Sequence, residues 1–311
     1  MIILIFPVIK IFFPVIIFEE LQGMILLPST GEFLPATEEA KKLQFAKKPY
    51  LCNGLSHAGD GRTHIPSPML SIEDLITGYA RRGRVKTVGR RLSAIAPSGT
   101  LTVVCGVNGA GKSTLLRTLA GLQPPIGGRV AIDGLDIASL RPRALARLVA
   151  VVLTQLPPGI GLTAGEVVGM GRMPYTAFGG SLAEADRKIV EEAMVRAGAE
   201  KFFDRRIASL SDGERQRVMI AKALAQQTPV VLLDEPTAFL DPPGKVAALR
   251  LLQSLAHNEG KTILFTSHDL NLSLKTADNA WLLTANGGIV SGTPQEFKNS
   301  GALVREFGEW E

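Results

Sequence analysis

The sequence predicts an α/β fold with a substantially parallel sheet, and three observations predict it. Short apolar or β-branched runs alternate with helical runs. A glycine-rich loop joins one such strand to one such helix. Another strand ends in two carboxylates.

The elements follow in order. LSIEDLITGY, from Leu70, reads as a strand that opens the ordered part. The apolar strand Leu101–Val104 enters the glycine loop, and Lys112–Ala120 is the helix that leaves it. Arg129–Ile132 is the next strand, closed by Asp133-Gly134 as a hairpin or tight turn. Val149–Leu153 is a strand, and Thr163 caps a short helix after it. Leu182–Ala197 and Glu214–Gln226 have helical composition and spacing. Strand Val230–Leu233, helix Lys245–His257, strand Thr262–Thr266 and helix Asp269–Lys275 complete the series.

Composition narrows the class. The chain has 311 residues, 46% of them hydrophobic and 20% charged, so its bulk is globular. Aromatics at 6% are too sparse for rows of rings stacked on single-stranded nucleic acid. Two cysteines, Cys52 and Cys105, supply neither a disulfide framework nor a cysteine-rich zinc site. Cys105 beside the glycine loop reads as a buried inert thiol rather than an oxidation-sensitive one.

Residues 1–68 carry six basic and six acidic side chains, so the net charge of +5 lies wholly in 69–311. The first eighteen residues are apolar apart from Lys10, but that lysine with Pro7 and Pro14 suits a membrane span poorly. Residues 19–68 show no steady period. The division is an N-terminal extension, 1–68, and an ordered domain, 69–311. For the extension, a true start at Met69 is favoured over a membrane-associating or disordered segment.

The strongest chemical signal is Gly106-Val107-Asn108-Gly109-Ala110-Gly111-Lys112-Ser113, followed by Thr114. Its glycines let backbone N–H groups turn toward a phosphate, and the helix start adds further donors. Lys112 supplies a cation for β- and γ-phosphates, and the Ser113 hydroxyl can ligate Mg²⁺. Downstream, Val230–Leu233 delivers Asp234 and Glu235 to the carboxyl edge of a sheet, where ligands sit. Asp234 can hold Mg²⁺, and Glu235 can deprotonate an attacking water. Together these read as a nucleoside triphosphatase using Mg²⁺, and no more; ATP as the nucleotide is implied by the resemblance carried by the next motif.

Leu210-Ser211-Asp212-Gly213-Glu214-Arg215-Gln216, followed by RVMIAKALAQ, resembles the LSGGQ signature of ATP-binding cassette (ABC) proteins. Ser211-x-x-Glu214 is also a capping box, and both readings can hold. The sequence departs from the family at Asp212, for Gly, and Glu214, for Gln. A carboxylate beside a phosphate is unfavourable unless it points away, which counts against direct phosphate contact by Asp212; Ser211, Gly213 and Glu214 are the nucleotide-binding candidates here, Ser211 and Gly213 the better phosphate ligands. The resemblance covers roughly 69–300. It implies a P-loop NTPase, an ABC-type nucleotide-binding domain with a RecA-like core and a helical subdomain at about 156–228.

Further site residues are implied by the resemblance. Tyr79 matches the aromatic that stacks on adenine, and Gln155 the glutamine that senses Mg²⁺. Asp241 matches the aspartate that couples two halves of a dimer, and His268 the switch histidine at the γ-phosphate. The segment GEVVGMGRMPY resembles importer ATPases for ferric siderophores, haem and cobalamin. There Met170, Met173, Tyr175 and Phe178 would form an adaptable apolar contact with a permease. The implied partners are a second, head-to-tail copy, permease subunits and, indirectly, a solute-binding protein, with no nucleic acid. The implied place is peripheral, on the cytoplasmic face of the cell membrane. An exporter ATPase and a soluble ABC ATPase of repair or translation are the alternatives. No heptad run separates the motifs, and the chain has one cassette, which disfavours the soluble classes.

Overall fold

The computed structural model describes residues 24–26, 33–35, 70–81, 84–153, 161–176 and 181–308. The chain divides into two compact units, Met1–Ile65 and Pro66–Glu311. In the first, β1 (Met24–Leu26) pairs antiparallel with β2 (Phe33–Pro35). The apolar stretch at 1–18 and the start at Met69 lie outside the described residues. Among the described residues no helix is long and apolar enough to cross a membrane.

The second unit carries two sheets. One is antiparallel, in the order β4-β3-β6-β7: β3 (Leu70–Arg81), β4 (Arg84–Ala96), β6 (Gly127–Ile132) and β7 (Leu135–Asp136). Asp133-Gly134 forms the two-residue turn between β6 and β7, as the sequence predicts. Strand β4 is not legible in the sequence. Only Leu92, Ala94 and Ala96 keep a period of two toward the core, and Arg91 at φ +48° breaks it. Its pairing with β3 shifts register three times.

The other sheet has six strands, ordered β12-β11-β5-β10-β9-β8. Strands β5 (Leu101–Gly106), β8 (Val149–Val152), β9 (Val230–Leu233), β10 (Thr262–Thr266) and β11 (Asn279–Leu283) run parallel. An antiparallel edge strand, β12 (Ile289–Gly292), completes it. Strands β5, β9 and β10 are buried along their whole length, as a sheet covered on both faces requires. Alternate residues feed two cores. Leu101, Val103, Leu233 and Phe265 join one; Val104, Leu232, Leu264 and Trp281 join the other.

Helix α1 (Lys112–Leu119) packs Leu115, Leu116 and Leu119 between the central sheet and the antiparallel one. On the opposite face lie α6 (Pro242–Glu259), α7 (Leu270–Thr276) and a helical layer. That layer comprises α3 (Ala164–Gly169), α4 (Glu184–Arg196) and α5 (Asp212–Ala225). Short α2 (Pro142–Leu145) precedes it, and α8 (Pro294–Ser300) and α9 (Ala302–Phe307) end the described chain. The predicted helices are all present, with no end displaced by more than three residues.

The strand order explains the site. Strand β10 lies between β5 and β9, with Thr266 opposite Val104 and Phe265 opposite Leu233. The loops leaving these three strands, far apart in sequence, therefore emerge side by side at the carboxyl edge.

Candidate functional site

The loop from β5 to α1 is shaped by its glycines. Gly106, Gly109 and Gly111 adopt φ of +155°, +83° and +97°, which side chains rarely tolerate. Gly111 is also pressed by its neighbour: an added Cβ would lie 2.4 Å from Val88 Cγ1. No side chain caps α1, whose N-cap is Gly111. Its first-turn N–H groups and positive dipole end thus suit an anion. Val107, Asn108 and Ala110 complete the loop, with Ala110 N–H bonded to Val107 O at 3.1 Å. Thr114 follows Ser113 within the first turn of α1.

Lys112 is 7% exposed, and its Nζ donates to Gly106 O at 2.8 Å and Val107 O at 3.3 Å. Burial pushes its ammonium below the ordinary lysine value, while Glu235 and Asp234 pull the other way. Such a cation lies ready to exchange loop carbonyls for phosphate oxygens. Lys112→Ala removes charge-assisted bonds each worth about 1.5–3 kcal/mol. ATP affinity, measured with a fluorescent nucleotide analogue, is expected to fall about 10- to 100-fold.

Facing the loop is a continuous polar chain. Ser113 Oγ donates to Asp234 Oδ1 at 3.1 Å, and Thr266 Oγ1 donates to the same oxygen at 2.8 Å. Thr266 Oγ1 in turn accepts the Glu235 N–H at 2.8 Å. His268 Nε2 lies 2.7 Å from Glu235 Oε1. Glu235 sits at φ +53°, an unfavourable conformation for a residue with a side chain. The Thr266 bond fixes the backbone there. Lys112, Ser113, Asp234, Glu235 and His268, all singled out in the sequence, are thus gathered in one place. Thr266 was not singled out; its signal is a hydroxyl at the end of β10, meaningful only once β9 and β10 are in register.

A hydroxyl and a carboxylate oxygen 3.1 Å apart form a hard-oxygen pair, the donor chemistry that Mg²⁺ takes. Gln155, the other expected Mg²⁺ ligand, lies outside the described residues, as does Phe178. Tyr79 is 43% exposed on β3, opposite Lys86, whose Nζ is 5.8 Å from the ring centroid. Lys86 precedes Val88 by two along β4, the strand that touches Gly111. Cys105 is buried, and burial pushes its thiol up to about 12, so it is inert.

The signature residues sit apart, at the start of α5. Ser211 is its N-cap and Glu214 closes the capping box: Ser211 N–H donates to Glu214 Oε2 at 2.8 Å, and Glu214 N–H to Ser211 Oγ at 3.3 Å. Asp212 pairs with Arg215, and Glu214 with Arg205. Gly213 has no room for a side chain: a Cβ would meet Phe239 O at 2.9 Å. Asp241 caps α6, its Oδ1 accepting from Gly244 N–H at 3.2 Å. The loop leaving Glu235 therefore packs on the signature helix before α6 begins.

In the segment after α3, Met170 and Met173 are half-buried. Tyr175, also half-buried, makes contacts within the domain. Its hydroxyl donates to Gln226 O at 2.9 Å, and its ring lies 4.2 Å from the Arg172 guanidinium and 5.2 Å from that of Arg147.

Comparison with known proteins shows the family. Residues 90–238 match the ABC transporter family. An uncharacterized ABC transporter ATP-binding protein of Methanocaldococcus jannaschii is 40% identical over 73% of this chain and 77% of its own. The iron(3+)-hydroxamate import ATP-binding protein of Bacillus subtilis is 37% identical over 76% of this chain and 87% of its own. A dimeric bacterial ABC transporter cassette superposes with a TM-score of 0.65 at 26% identity, over 73% of this chain and 99% of that one.

Proposed function

The chain belongs to the ABC transporter ATP-binding proteins, ATPases by family, and on that premise we propose that it energises uptake of an iron chelate, haem or cobalamin through a membrane permease. The observation that carries the hydrolytic part is the polar chain Ser113–Asp234–Thr266–Glu235–His268 beside Lys112. The importer part is supported by the iron(3+)-hydroxamate import relative and by the segment GEVVGMGRMPY.

In the proposed reaction, Lys112 and the N–H groups at the start of α1 hold the β- and γ-phosphates. Tyr79 stacks on adenine. Ser113 and Asp234 would hold Mg²⁺, with Gln155 as a further ligand. Held there, Mg²⁺ would supply positive charge against the phosphates. Glu235 accepts a proton from water as the water oxygen bonds to the γ-phosphorus and the bond to the β–γ bridging oxygen breaks. His268, against Glu235, orients that carboxylate and reports on the γ-phosphate. Ser211 and Gly213 of a second, head-to-tail copy close over the nucleotide, and Asp241 links the two halves. The dimeric cassette relative supports that arrangement. Closure and reopening then drive a permease held at the 164–176 segment, from the cytoplasmic face of the membrane.

A tagged pull-down from detergent-solubilised membranes, read by mass spectrometry, tests this. Recovery of a polytopic permease with a solute-binding protein is expected. Recovery of ribosomes, DNA or only soluble proteins would overturn the transport reading and leave the ATPase standing.

A further inference from the structure

The signature helix opens with two acids, Asp212 and Glu214, where an anionic nucleotide is to be met. Each is met by an arginine. Asp212 pairs with Arg215 on its own helix. Glu214 Oε1 lies 3.2 Å from Nη1 of Arg205, which comes from outside the helix. Arg205, 45% exposed at its side chain, has further contacts of its own. Its Nη2 donates to Ser209 O at 3.0 Å, and its guanidinium lies over the Phe202 ring at 5.6 Å. Its carbonyl accepts from Ala164 N–H, the first residue of α3, at 2.9 Å.

We propose that Arg205 is a positioning residue for ATP hydrolysis: it neutralises Glu214 and pins its carboxylate back onto the helix cap, leaving Ser211 and Gly213 to face the phosphate. This rests on the reading of Ser211 as a phosphate ligand. Ser211 Oγ accepts from Glu214 N–H, which occupies a lone pair and keeps the hydroxyl proton for donation. The other Glu214 oxygen is taken by Ser211 N–H at 2.8 Å. Glu214 titrates below the usual carboxylate range, chiefly through that backbone bond and also through Arg205. It is therefore ionised whenever nucleotide arrives, and without Arg205 its charge is exposed beside the incoming phosphate.

The test is a double-mutant cycle on the purified full-length protein, with ATP hydrolysis followed against ATP concentration and melting temperature measured in parallel. Arg205→Gln is expected to raise KM for ATP about ten-fold with a smaller change in kcat. Glu214→Gln keeps a side-chain oxygen for the cap and removes the charge. In that background Arg205→Gln should change KM by less than about two-fold, because no charge is left to neutralise. A merely structural Arg205 would predict the same loss in both backgrounds, since the bond to Ser209 O goes in each; that result overturns the proposal, as does a silent Arg205→Gln. Should Arg205→Gln fail to fold, Arg205→Lys in the two backgrounds carries the same comparison, with a KM rise of about three-fold expected beside Glu214 only. Ser211→Ala is the control on the premise. Unchanged hydrolysis there overturns the phosphate-ligand reading itself, whereas a lost Ser211→Ala activity with equal Arg205 effects overturns Arg205 alone.

Discussion

Glu235→Gln is expected to slow ATP turnover by about 10²- to 10⁴-fold, the range that a positioned general base contributes. Apart from the contact with His268, the substitution leaves the bonds of the site in place. Gln has the same shape, and the bond that fixes the backbone here runs from the Glu235 N–H to Thr266 Oγ1 at 2.8 Å, which an amide side chain leaves intact. Asp234 keeps Ser113 and Thr266, and Lys112 keeps the loop. Binding of ATP should therefore survive while proton transfer is lost, because an amide cannot take the proton from water. Two measurements separate these: nucleotide affinity near that of the wild type, and accumulation of a dimer on size-exclusion chromatography with ATP. Near-normal hydrolysis would remove Glu235 as the base and shift attention to His268, whose Nε2 is 2.7 Å away.

The residues that make this prediction possible were legible in the sequence because their chemistry is local. Gly106 to Ser113 states a loop and the start of a helix, and Asp234-Glu235 states a strand that ends in acid. What the sequence hid depends on pairing between distant segments. Thr266 matters because β9 and β10 lie in register, and nothing in Thr262–Thr266 announces which strand is its neighbour. Arg205 looks like one charge among many until the fold sets it against Glu214. Tyr175 reads as a lone aromatic in a methionine-rich segment, and its contacts with two arginines and Gln226 O come from segments far apart in sequence. Strand β12 is hidden because Ile289–Gly292 is an edge strand with exposed positions and little apolar pattern, and helices α8 and α9 because one or two turns give little periodicity.

Arg172 is where that hidden, non-local pairing should show most strongly in stability. Its side chain is 7% exposed and its partner Asp186 15%, with Nε to Oδ1 at 2.9 Å. Nη1 donates to Ala225 O at 2.8 Å and Gln227 Oε1 at 3.0 Å, and the guanidinium covers the Tyr175 ring. One side chain thus ties the segment after α3 to α4 and to the far end of the signature helix. Arg172→Ala leaves a largely buried carboxylate without its cation, and loses of this kind cost about 3–5 kcal/mol. Chemical denaturation should show a lower midpoint at an unchanged slope. Arg172→Lys should recover part of the loss, since it restores the charge but not the fork that serves three partners at once. The Arg196–Glu259 pair supplies the contrast. Its side chains are 41% and 37% exposed, so Arg196→Ala should cost at most about 1 kcal/mol. Equal losses at the two arginines would mean that burial does not set the worth of the Arg172 network. A loss below about 1 kcal/mol at Arg172 alone would mean that the segment and the signature helix are held together by apolar packing, with the arginine along for the ride.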